Sequence, residues 1–78
     1  MTENEIKKAK KITKSLLLIN IAFGYSVFDD ERIRLVVRML LQKNMTLRSV
    51  DIENWLWSRK SPPTFHDILD MAVECHIE

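Results

Sequence analysis

Apolar side chains follow a helical period through the first sixteen residues and then spread beyond it. Thr2 and Glu5 have the spacing of a capping box, which places the start of a first helix near Glu3. At 100° per residue, Ile6, Ala9, Ile12 and Leu16 share one side, and Lys7, Lys8, Lys10, Lys11 and Lys14 hold the other. After Leu16 the lysine side turns apolar. Leu18, Ile21, Ala22 and Tyr25 continue the arc of Lys7, Lys11 and Lys14, while Leu16, Ile19 and Phe23 continue the core face. Gly24 offers a C-terminal stop.

The segment Leu16 to Phe28 therefore holds more apolar surface than one side of a small helix needs, and a helix that is apolar all round must be buried all round. In 78 residues little chain is left to bury it, so self-association or a protein partner is the first expectation. The stretch is shorter than the roughly 18–20 residues that span a bilayer, and Asn20 interrupts it, so no membrane span is expected. The lysines ahead of it imitate a secretory signal. No small-x-small cleavage site follows and Glu3 and Glu5 lie among the lysines, so a signal is not expected either.

Asp29, Asp30 and Glu31 open a second helix that should run to about Lys43. Its main face is Ile33, Val36, Val37 and Leu40 with Leu41 alongside; Arg34, Arg38 and Gln42 face solvent, and Leu35 and Met39 form a second stripe four residues apart. Thr46 or Ser49 caps a third helix, with Thr46 favoured, because an apolar period follows that groups Ile52, Trp55 and Leu56. Val50 and Trp57 align on nearly the opposite side. Pro62 and Pro63 end the connection, and Thr64 with Asp67 caps a last helix. That helix is expected to place Phe65, Ile68, Leu69, Ala72, Val73 and His76 on one side and Asp67, Asp70, Glu74 and Glu78 on the other. The expected fold is all-α: one domain over residues 1–78, with four short helices in a compact bundle or orthogonal array, as a homodimer.

Composition supports helices, since one Gly and two Pro are too few for a turn-rich β-sandwich. A single cysteine, Cys75, leaves no intramolecular disulfide and fits a reducing compartment, so a cytoplasmic protein is expected. Residues 1–48 carry ten Lys and Arg against five acids (+5) and residues 49–78 two against six (−4), a polarity that favours protein packing over general affinity for nucleic acid.

Candidate chemistry is sparse. His66 and Asp70 have helical i, i+4 spacing, but two ligands are too few for a metal, and the adjacent Cys75 and His76 diverge on a helix. No nucleophile with a positioned base and no Gly-rich phosphate loop is present, so no catalytic residue, metal or cofactor is assigned and an enzyme is not expected. A helix-turn-helix within Asn44 to Lys60 is the competing idea, with Arg48, Arg59 and Lys60 towards a groove and Lys7, Lys8, Lys11 and Lys14 as further phosphate contacts. Asp51 and Glu53 on the same helix argue against it. The candidate partner-binding set is Leu18, Ile21, Ala22 and Tyr25, extended by Leu35 and Met39, with Val50 and Trp57 either as an exposed anchor of the kind enriched at interface hot spots or, equally, with Trp57 packed on the first helix within the monomer. Trp55 is expected in the core.

From Phe28 onward the run IRLVVRMLLQKNMTL, then DIENWL, a break and FHDILDMAVECHI resembles the layout of the small enterobacterial YmgB/AriR biofilm regulators and relatives such as Bdm. The resemblance covers about two thirds of the chain; the Lys-rich first helix and the Trp55/Trp57 pair have no counterpart in it. It implies a helical homodimer acting as a connector that touches a signalling or transcription-regulating protein and adjusts stress or biofilm gene expression. It carries over no functional residue. A phage or plasmid product that inhibits a host enzyme would have a similar appearance. The expected function is thus a non-enzymatic regulatory protein acting through protein–protein interaction, with a DNA-binding regulator as the alternative.

Overall fold

A computed structural model describes residues 2–75 of the chain. Four helices run in the order α1 (Glu3–Phe23), α2 (Asp30–Gln42), α3 (Ser49–Ser58) and α4 (Phe65–Met71). The long first helix sets the shape: 21 residues at 1.5 Å each give about 31 Å, close to the 36 Å long axis of the molecule. Both α2 and α3 pack on α1, and α4 lies against α2.

Local chemistry fixes most helix ends. The Thr2 hydroxyl accepts from the Glu5 amide and the Glu5 carboxylate accepts from the Thr2 amide, closing the expected capping box. Gly24 ends α1 at φ +76°, a left-handed conformation that costs glycine nothing sterically. The Asp29 carboxylate caps α2 by accepting from the Arg32 amide, and Thr64 with Asp67 forms a second capping box on α4.

The core gathers Ile12, Leu16 and Ile19 from α1, Ile33, Val36 and Leu40 from α2, Ile52 from α3 and Ile68 from α4, with Phe28 and Leu47 from the connections. These are the faces expected from the period, with one correction at the start of α1. Ile6 is 41% exposed and Ala9 is half-buried, because the first turns of α1 project past the cover of its neighbours.

The four helices are those expected, with one small strand pair added to them. A two-stranded antiparallel ladder, β1 (Met45–Thr46) with β2 (Val73–Glu74), pairs Met45 with Glu74 and Thr46 with Val73. Thr46 is therefore a strand residue and not a helix cap; α3 starts at Ser49 after Arg48, whose side chain makes no capping hydrogen bond. The last helix likewise stops at Met71, with Ala72 already extended, so Val73 and Glu74 leave its wheel for the ladder. β-Branched Val73 suits a strand, and the pairing gives the backbone of Met45 and Thr46 partners that a capped coil would leave to water. The expectation for His76 and Glu78 lies outside the described residues.

Asn44 makes the ladder possible. It turns the chain after α2 at φ +53°, a left-handed conformation that asparagine tolerates better than most residues. Its carbonyl accepts from the Cys75 amide at 2.9 Å, and its side-chain oxygen accepts from Lys8 Nζ at 2.8 Å. One residue thus ties the start of α1, the end of α2 and the end of the ladder together.

Candidate protein-interaction surface

The connection from α1 to α2 decides which way the apolar second half of α1 faces. Asn20, on α1, donates from its amide nitrogen to the Phe28 carbonyl and accepts from the Phe28 amide, both at 2.9 Å. Phe28 is drawn into the core at 3% exposure, and Arg32 Nη1 holds the Val27 carbonyl. In the sequence Asn20 interrupts an apolar run; in the fold it is the clamp that turns the chain.

With that turn set, the second half of α1 presents a stripe to solvent. Ile21 is 76% and Tyr25 59% exposed, and Ala22 is exposed beside them. Leu18, expected in this set, is instead half-buried and packs against the core. Its place is taken by Leu17, one turn before Ile21 and 42% exposed, which the sequence reading left on no face. The reason lies in the two neighbours of α1: α2 and α3 flank it on both sides, so the covered arc is wider than a single stripe and reaches Leu18. The surface stripe is Leu17, Ile21, Ala22 and Tyr25.

The other expected members fall on separate faces. Leu35 borders a trough of about 480 Å³ with Val27, Pro63 and Phe65, on the α4 side of α2, and Met39 is half-buried. Val50 and Trp57 share the outer edge of α3 and are 51% and 90% exposed. Trp57 does not pack on α1. Trp55 is half-buried rather than core: its indole N–H donates to the Ser61 carbonyl at 3.0 Å, and the Arg59 guanidinium lies 4.3 Å over its ring.

Three of the seven expected phosphate contacts are engaged elsewhere. Arg48 donates two hydrogen bonds to the Asp51 carboxylate, at 2.8 and 3.0 Å, in a two-pronged ion pair, and these bonds raise the guanidinium pKa above its ordinary value. Arg59 stacks on Trp55 and Lys8 binds Asn44, which leaves Lys7, Lys11, Lys14 and Lys60 as exposed cations without such a contact among the described residues. The span Asn44 to Lys60 contains one helix preceded by a two-residue strand, not the two helices of a helix-turn-helix.

Among the described residues no three His, Cys, Asp or Glu side chains converge, and no helix is long and apolar enough to cross a membrane. His66 is exposed with its ring edge-on to Phe65, and Cys75 is half-buried with a free thiol. No protein-family model, curated protein or solved structure matches the chain. What the geometry offers is contact surface. Covering Ile21 as fully as Ile19 is worth roughly 1–2 kcal/mol, and an exposed tryptophan offers at least as much.

Proposed function

We propose that this protein is a small non-enzymatic regulator that works by occupying protein surfaces, first that of a second copy of itself and then that of a signalling or transcription-regulating partner. The observation that carries the reading is the outward stripe of Leu17, Ile21 and Tyr25, beside the Asn20 clamp, while Ile12, Leu16 and Ile19 of the same helix are buried. A 78-residue domain has little stability to spare for apolar side chains in water, and a second copy removes them by placing the same stripe against itself about a two-fold axis.

Trp57 and Val50 supply a second contact on α3, remote in sequence from the first and suited to a different protein. The YmgB/AriR-like layout of the last two thirds of the chain supports a connector role in stress or biofilm regulation, in the cytoplasm. The engaged state of Arg48, Arg59 and Lys8 weighs against DNA as the primary partner.

Affinity capture from host extract tests the reading. Tagged wild-type chain retains a regulatory protein in stoichiometric amount, and a Trp57→Ser chain, folded by circular dichroism, retains at least tenfold less. Equal retention by both chains, or retention of nucleic acid in place of protein, refutes it.

A further inference from the structure

The first half of α1 and most of α2, from Ile33 to Gln42, border an apolar trough of about 510 Å³. Its floor is Ile33, Val37 and Leu41, a row four residues apart on α2. A shallower depression of about 300 Å³ on α1, which shares Thr13 with the trough, adds Ile6 and Ala9. The row from Ile33 to Leu41 spans eight residues, about 12 Å, which matches the length of the i, i+3/i+4, i+7 anchors of an amphipathic helix.

Charge identifies the kind of helix. Arg34 and Arg38 stand one turn apart along the α2 rim, and Lys10 and Lys14 one turn apart along the α1 side. All four are exposed, and none of them is in an ion pair among the described residues, although Glu31 shares a surface hollow with Arg34 and Arg38 on the outer side of α2. Among the described residues the only acid lining the trough is Glu5, whose carboxylate is already engaged by Thr2 in the α1 capping box. An aliphatic floor between two rows of free cations complements a helix with leucine-like anchors flanked by carboxylates at one-turn spacing. It offers no aromatic platform for nucleic-acid bases.

We propose that this trough is the docking site for an acidic amphipathic helix of a partner protein. The inference rests on the reading of the chain as an interaction protein and names the chemistry of its partner. Its α2 floor lies apart from the Ile21 stripe, while Lys10 and Lys14 stand on the same side of α1 as Leu17 and Ile21, nearer the start of the helix.

The test is fluorescence anisotropy on the full chain with a labelled sixteen-residue peptide carrying leucines at heptad a and d positions and flanking glutamates. The expected result is binding at least tenfold tighter than that of the matched peptide with lysines for glutamates, weakening as salt rises. Arg34→Glu with Arg38→Glu, both at exposed positions, lowers affinity for the acidic peptide on the order of tenfold and reverses the preference between the two peptides. Ile6→Ser weakens both peptides severalfold without altering the salt dependence.

Equal affinity for the two peptides, or no response to the double charge reversal, overturns the proposal. So does displacement of the peptide by a short DNA duplex or by anionic vesicles that bind more tightly at physiological salt, since the cations then serve phosphate. Ile21→Glu lies outside the trough and separates the two readings. An Ile21→Glu chain that dimerises as wild type does and still binds the peptide counts against the self-association stripe alone, and a wild-type dimer that ignores the peptide counts against the trough alone.

Discussion

Replacing Asn20 by alanine tests whether one side chain holds the α1–α2 turn and, through it, the orientation of the Ile21 stripe. The wild-type amide satisfies both polar groups of the Phe28 backbone at 2.9 Å, beside a ring that is 3% exposed. Truncation leaves an N–H and a C=O without partners, and each such loss costs about 1–3 kcal/mol when buried. Asn20 is half-buried, so water reaches part of the gap and the pair together costs about 2–3 kcal/mol. That is a large share of the roughly 4–12 kcal/mol expected for a domain of this size, and it lowers the melting temperature by about 10–20 °C. Urea unfolding followed by circular dichroism should show the midpoint falling with an unchanged slope. Asn20→Asp provides an independent sign. Its carboxylate still accepts from the Phe28 amide but repels the Phe28 carbonyl, so the variant is unstable at neutral pH and recovers as acid restores a donor. A loss below about 0.5 kcal/mol for Asn20→Ala, the range of an ordinary surface change, would refute the clamp.

Further expectations concern the caps, the ladder and the tryptophans. Gly24→Ala meets no neighbouring atom but is strained at φ +76°, and should cost about 1 kcal/mol in chemical denaturation. Thr46→Val removes a buried hydroxyl that has no hydrogen-bond partner among the described residues, and should be neutral or stabilising by up to about 1 kcal/mol; a marked loss in the same assay would show that the hydroxyl is used. Hydrogen bonds from the Thr2 and Thr64 backbone and hydroxyl groups hold the Glu5 and Asp67 carboxyls below their ordinary pKa values. Because the folded values are depressed, the cap contribution is complete above the unfolded carboxylate range near pH 4 and is lost as pH falls through the folded values; Thr64→Ala should flatten the acid limb of a stability–pH curve. Trp57→Phe should remove the solvent-exposed, red-shifted part of the tryptophan emission and leave the Trp55 part.

The parts of this fold that were legible in the sequence are those set by neighbours along the chain. Thr2 with Glu5 and Thr64 with Asp67 announce their capping boxes, Gly24 its stop, and the period through Ile33, Val36 and Leu40 its buried face. What could not be read depends on contacts between distant segments. Thr46 has the local character of a helix cap, and only the arrival of Val73 makes it a strand residue. Ser15 lies on the buried side of α1 by its spacing from Ile12 and Ile19, but the Leu47 carbonyl that satisfies its hydroxyl there is a distant partner no spacing rule signals. The exchange of Leu18 for Leu17 has the same origin, since the boundary of the covered arc depends on how closely α2 and α3 flank α1. Arg34 and Arg38 were recognisable as solvent-facing, but their place on the rim of an apolar trough required the position of α1.

Sedimentation equilibrium over a wide range of protein concentration tests the central claim most directly. Wild-type chain should approach twice its 9.2 kDa mass as concentration rises, and Leu17→Glu with Ile21→Glu should remain folded at the single-chain mass throughout. A wild-type chain that stays monomeric at every concentration, or a folded double variant that dimerises as wild type does, would contradict the account.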